Sequence, residues 1–300
     1  MARPASASGE VADKQDVAEK DSVKADGAAK AVADATADAN GQTQANQGCL
    51  IHVNLPISGD ADMQVRRAVT QWLGTLKPGG TRPVLVIELD PGKAVGGVGS
   101  DFSRAWSLAK FLSRELVEQA PQVKTVAYIP KTIKGHAVLV AMACEEIVMA
   151  PDAEIGEAGI DESIIEPDVR SAYKQIAERR RTVPAALALA MLDKSITAQK
   201  VTTGVGTEYV LPDELEELKK RENVQTVEGL KPQPLLIDGR TARQELGFVS
   251  YLADNRADLA EALKLSSKTL QDDPALAGGW RPVRIDIKRP INATTANRVQ

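Results

Sequence analysis

Gly135-His136-Ala137-Val138-Leu139-Val140-Ala141-Met142-Ala143-Cys144-Glu145-Glu146-Ile147-Val148-Met149-Ala150-Pro151 decides the fold. A glycine opens it, an unbroken apolar run from Ala137 to Cys144 follows, and Glu146–Met149 closes it as a short β-type run before proline. The apolar run falls far short of the roughly 20 residues that cross a bilayer, so it reads as a buried helix of about His136 to Cys144 feeding a strand.

Upstream, the same alternation repeats. Leu50–Leu55 reads as a strand, and the helix after it sets Val65, Ala68, Val69, Trp72, Leu73 and Leu76 on one face. Val84–Leu89, introduced by Pro83, is continuously apolar apart from Glu88, as strands covered on both faces are. A glycine-rich loop leads to a helix carrying Ala105, Leu108, Ala109, Leu112 and Leu116, then Pro121 and the strand Thr125–Ile129. Strands and helices alternating at crossover length predict parallel pairing with right-handed connections.

Downstream, a helical block from about Asp168 to Lys194 is expected to break at Pro184. Val201–Lys231 is charged and receives no functional assignment, with Glu214–Arg221 a solvated helix or hairpin. Thr241–Leu246 and Asn255–Leu263 are the last helices, joined through Phe248–Leu252, and Ser266–Gly279 has linker composition. Residues 1–47 are Ala-rich without a Leu, Ile or aromatic side chain, which predicts a disordered arm. Pro290-Ile291-Asn292 repeats Pro56-Ile57-Ser58, and Val283–Ile287 echoes Ile51–Leu55, so a second copy of the fold is expected to start at about Trp280. The domain proper then spans 48–265, the linker 266–279 and the truncated repeat 280–300.

With 37 Lys and Arg against 41 Asp and Glu, the chain has no basic stripe for a phosphate backbone, and nucleic acid is not an expected partner. Cys49 and Cys144 lie in apolar surroundings without metal-ligand spacing and read as small buried thiols; no metal or other cofactor is implied. Asp90–Asp101 is a glycine loop between a strand and a helix, but it lacks G-x-x-x-x-G-K-[ST], and Gly97-Val98-Gly99 lacks the third glycine of a dinucleotide fingerprint. His52 lies within a strand. Ser100, Ser103 and Ser163 read first as loop or cap residues.

Three segments resemble the ClpP-class serine proteases of the NfeD and signal peptide peptidase A families. They are Val86–Gly92, Gly135–Pro151 continuing into Ile155-Gly156-Glu157-Ala158-Gly159, and Thr241–Val249. The resemblance implies a ClpP/crotonase-like α/β spiral of parallel strands with crossover helices. It places the nucleophilic serine at Gly135 and the dyad lysine at Lys174. Oxyanion and substrate contacts fall at Gly92, Lys93 and His136. Gly135 is open to two readings, a turn that starts a helix or a degenerate catalytic position; Lys174 is a solvated helix lysine or a retained general base. Extended peptide and self-association are the implied partners, with membrane attachment on an extracytoplasmic face through segments outside this chain. The competing functions are a crotonase-like acyl-CoA enzyme, for which Glu145, Glu154 and Glu157 are the available acids, and a structural repeat of a membrane-associated assembly.

Overall fold

The computed structural model describes residues 47–77, 81–92, 96–231 and 234–271. The expected arm over residues 1–47, apart from Gln47, lies outside the described residues, as do Lys93 and the proposed repeat at 280–300.

The strands are β1 (Gly48–Asn54), β2 (Val84–Asp90), β3 (Lys124–Ile129), β4 (Glu146–Met149), β5 (Glu154–Gly156), β6 (Gln199–Thr203), β7 (Thr207–Val210), β8 (Val224–Gly229), β9 (Leu236–Asp238) and β10 (Tyr251–Leu252). The helices are α1 (Ala61–Leu73), α2 (Phe102–Lys110), α3 (Leu116–Gln119), α4 (Ala137–Met142), α5 (Pro167–Arg180), α6 (Ala185–Leu192), α7 (Pro212–Arg221), α8 (Gly239–Gln244) and α9 (Arg256–Leu263). A π-helical turn, Phe111–Glu115, joins α2 to α3.

The central sheet has five strands in the order β1-β2-β3-β4-β10. Every neighbouring pair in it is parallel, as the alternation predicts. The two-residue period of each strand sends alternate side chains into two cores. Ile51, Val53, Ile87, Leu89, Ala127, Ile129 and Ile147 meet residues of α1, α2, α4 and α5 on one face. Leu50, Val84, Val86, Val126, Tyr128 and Val148 meet Leu259, Leu263 and Leu270 on the other. Beyond their ends the strands feed a second ladder: the Lys134 amide donates to the Gly96 carbonyl, Ile133 bridges Ile155, and β5 pairs with β9. The α/β architecture expected from the sequence, parallel strands joined by crossover helices, is therefore the one the chain adopts.

Glu88 is the one charge inside the apolar run of β2, and it is buried. It survives there because Arg256 reaches over from α9 to both carboxylate oxygens and His52 Nδ1, across the β1–β2 pair, lies 2.8 Å from Oε2. Burial pushes the Glu88 carboxyl up, but hydrogen bonds from His52 and Arg256 outweigh it and hold the group below its ordinary value. The Glu88 contact in turn raises His52 against the opposing effect of burial.

Two segments differ from expectation. Val201–Lys231, with the two residues before it, forms a three-stranded antiparallel sheet, β7-β6-β8, with α7 against it and a small core of Val201, Val210, Leu215 and Leu218. Ser267–Leu270, assigned to the linker, is a 3-10 turn whose Leu270 is buried in the second core, so the packed domain extends past Leu265. Neither cysteine is in a disulfide, and both are buried. Burial pushes the Cys144 thiol up to about 12. Neither thiol should react with a thiol-specific disulfide reagent at neutral pH until the chain is unfolded; stoichiometric reaction of the folded protein would contradict this packing.

Candidate functional site

Gly135 takes φ of +64°, a conformation that costs a side chain about 1–3 kcal/mol but glycine little. Its amide donates to the Glu157 carbonyl at 3.2 Å, and Lys134 beside it pairs through Nζ with Glu157 Oε2 at 2.7 Å. Glu157 itself is held at φ of +41°. A β-carbon built on Gly135 would lie 2.8 Å from Asp161 Oδ2 and 3.6 Å from the Gly97 carbonyl oxygen. The same Asp161 oxygen accepts the Gly99 N–H at 2.8 Å. A carboxylate from the loop after β5 thus stands where a side chain at position 135 would begin, and a backbone amide holds it there.

His136 caps α4 and is buried, with its ring 5.1 Å from that of Phe102. Nε2 lies 3.0 Å from Glu162 Oε1 and Nδ1 lies 3.3 Å from the Tyr173 hydroxyl. A carboxylate accepts, so the neutral ring carries its proton on Nε2 and leaves Nδ1 to accept from Tyr173. Burial pushes the Tyr173 phenol far up, which keeps it a donor across ordinary pH. Tyr173, His136 and Glu162 therefore form one directional chain of hydrogen bonds.

Lys174 does not belong to that chain. The helix α5 does cross beside His136, but the side chain it turns inward is Tyr173; Lys174, about half exposed, faces water and pairs with Glu178 at 3.8 Å, one turn on. Gly92 is displaced in the same sense. Its amide is taken by its own Asp90 side chain at 2.8 Å, and it is the 96–99 turn that stands against Gly135. The physical reason is the length of the Asp90–Asp101 loop, which carries the contact several residues further than a compact Pro-Gly turn would. Ser100 is buried, accepting from the Ile57 amide and donating to the Gly97 carbonyl, and so shapes that turn.

Two of the three acids suited to thioester chemistry, Glu145 and Glu157, are committed to cations. Arg82 donates to both oxygens of Glu145 at 2.6 Å, Lys134 holds Glu157, and the Glu154 backbone lies in the β5–β9 ladder. Among the described residues, no group of three or more His, Cys, Asp and Glu side chains is placed to hold a metal ion.

Asp161, Glu162, Tyr173 and Gly99 are the site residues that sequence reasoning missed. Asp161 and Glu162 lie two and three residues past Gly159, where the recognisable motif ends, and nothing local marks them. Tyr173 did leave a signal: Val169, Ala172, Tyr173, Ile176 and Ala177 are the buried positions of α5, and their helical spacing puts Lys174 outside the stripe.

The loop 159–165 also walls an open cleft of about 440 Å³, closed on its other sides by the end of α6, Arg170 and Pro234. Glu157, Gly159 and Glu162 line it, so it opens beside the Gly135 constellation.

No family model matches the chain, and no curated protein matches it. Among solved structures, a variant of a membrane-bound stomatin-specific protease is similar at 13% identity and a TM-score of 0.46, with 75% of this chain and 90% of that one covered. A second variant of that protease, in complex with a substrate peptide, is similar at 14% identity and a TM-score of 0.46, covering 73% and 80% of the respective chains. A member of the enoyl-CoA hydratase/isomerase family is similar at 16% identity and a TM-score of 0.40, with 73% of each chain covered. At these levels the likeness is one of chain path alone.

Proposed function

We propose that this chain is a ClpP-class protease-fold domain that has lost hydrolytic chemistry and binds extended peptide at the cleft beside Gly135. One observation carries the reading: the Asp161 carboxylate, anchored on the Gly99 amide, fills the place where a nucleophile's side chain would start. A serine there would crowd against the Asp161 carboxylate, whose nearer oxygen already accepts the Gly99 amide, and would have no lysine beside it, since Lys174 faces water. Acyl transfer needs an activated nucleophile and a free oxyanion donor together. Here glycine supplies no nucleophile, and the Gly99 amide close by already donates to Asp161.

What is left is a shaped, partly apolar cleft with satisfied polar groups behind it, which suits holding a chain and not cutting it. Self-association and attachment to a membrane belong to the same proposal; no helix among the described residues is long and apolar enough to cross a membrane. The test is to incubate the full chain with a fluorogenic peptide of aliphatic sequence and follow both binding and mass. Binding with the peptide recovered intact is the expected result, for the native chain and for Gly135→Ser alike. Turnover by the native chain would overturn the reading.

A further inference from the structure

We infer that the small β7-β6-β8 sheet is an interaction surface for a second copy of this chain, which adds its own β8 antiparallel across a two-fold axis at Val227. The inference rests on the self-association in the proposal above and adds the surface that carries it. β8 is the open side of this sheet: every residue from Gln225 to Gly229 is exposed, and among the described strands only β6 pairs with it. β7, on the other side, turns toward the body of the domain, where the Tyr209 hydroxyl donates to the Glu245 carbonyl at 2.9 Å. The Leu230 amide donates to the Ala198 carbonyl at 2.9 Å, and bonding in an antiparallel ladder alternates from residue to residue. Thr226 and Glu228, opposite Thr202 and Lys200, therefore bond to β6, whereas Val227 and Gly229 turn their N–H and C=O groups to the open edge.

A bare edge accepts many strands, and self-complementarity is what selects a second β8. Val227 is 43% exposed and lies opposite Val201, hence on the face that holds the core of Val201, Val210, Leu215 and Leu218. That core is open on the β8 side. A pair centred on Val227 sets this side chain against the partner's Val227 and closes the two small cores on each other. It also sets Thr226 against the partner's Glu228 in both directions, and each carboxylate then stands between that hydroxyl and Lys200, its neighbour on β6. A pair centred on Glu228 would put two carboxylates face to face, which destabilises an antiparallel pair. One centred on Gly229 would put Val227 against a lysine, Lys231. The bulge at which Thr202 and Thr203 pair with Thr226 and Val224 ends the straight run at Thr226 and keeps the ladder short. The product is one continuous sheet, β7-β6-β8 followed by the partner's β8-β6-β7, joined by the same patch on both copies.

The experiment is sedimentation equilibrium of the full 300-residue chain and its variants, with disulfide trapping to read the register. The native chain is expected to dimerise with a Kd of about 10 µM or tighter. Val227→Pro removes an amide that β6 does not use, so the variant should melt with the native protein in a thermal scan and dimerise at least about tenfold more weakly. Val227→Cys should form a disulfide-linked dimer on mild oxidation, since paired residues at the axis have α-carbons about 5.5 Å apart. Gly229→Cys should not, because its copies would lie about 14 Å apart. Cys49 and Cys144 are buried and should not compete. A native chain that stays monomeric would overturn both the self-association and this surface. A dimer that Val227→Pro leaves intact, with no cross-link at Val227→Cys, would overturn the β8 assignment and leave self-association standing. Trapping through Gly229→Cys in place of Val227→Cys would overturn the two-fold at Val227. Slow hydrogen exchange of the Val227 and Gly229 amides in a monomeric sample would assign the edge to another segment of the same chain and overturn the proposal as well.

Discussion

Gly156→Ala is expected to remove the folded state at physiological temperature or to lower Tm by about 10 °C or more, the largest effect of a methyl group added at any described glycine. Gly156 has φ of +152°, a region of backbone space essentially reserved for glycine. A β-carbon there would lie 2.0 Å from the Leu235 carbonyl oxygen and 2.8 Å from the Leu236 α-carbon. That carbonyl cannot retreat freely, since it accepts the Glu157 amide at 2.9 Å and belongs to the chain entering β9. Relief of the clash therefore separates β5 from β9 and pulls Glu157 from under Gly135. Strain and backbone overlap together should cost more than about 4 kcal/mol, the range reserved for such failures. Gly204→Ala is the control. It sits between β6 and β7 with no atom within 4 Å of the added carbon and should change stability by less than about 0.5 kcal/mol. Two variants that melt alike would contradict the β5–β9 register.

Glu88→Ala should destabilise the domain by about 3 kcal/mol, the low end for breaking a buried ion pair. The low end applies because Arg256 and His52 each keep about a third of the side chain in water. At about 2–4 °C per kcal/mol, Tm should fall by about 6–12 °C. The native protein should also carry a pH signature that the variant lacks. Because the fold raises His52, its contribution is fully present below the ordinary histidine value of 6.5 and is lost as pH rises through the raised value. Because the fold lowers Glu88, its contribution is present above the ordinary carboxylate value of 4.5 and is lost as pH falls through the lowered value. The stability difference between native and Glu88→Ala should then be greatest between those ordinary values and should shrink on both sides. A difference that is flat from about pH 4 to pH 9 would show that the His52–Glu88–Arg256 contact contributes nothing.

The parallel sheet was legible because Val84–Leu89 and Ala137–Cys144 state burial without ambiguity: nothing but a doubly covered strand and an enclosed helix can hide so many adjacent apolar groups. Glu88 did not disturb that reading, although its partners, His52 on β1 and Arg256 on α9, are brought to it only by the folded sheet. The strands β6, β7 and β8 were not legible. Their residues are mostly Lys, Thr, Gln and Glu, β8 is exposed along nearly its whole length, and the four-residue core beneath α7 is too small to leave a period. At the site, Gly135 and His136 were found because they open a strongly patterned helix. Asp161 was not, since its role depends on a loop folding back across residues far apart in sequence to Gly99. Lys174 and Tyr173 differ by one position and so by roughly 100° around the helix, which is the whole difference between water and the hydrogen-bond chain of His136.

Reaction of the native full chain with a fluorophosphonate probe, followed by mass mapping of any adduct, tests the proposed loss of hydrolytic chemistry most directly. No serine should be labelled above the level found after heat denaturation, because the proposal puts the nucleophile's position at Gly135, where Asp161 fills the space a side chain would enter. Stoichiometric labelling of a single serine in the folded protein, Ser163 at the cleft or Ser100 behind it, would contradict the account and place an active nucleophile where the geometry shows none.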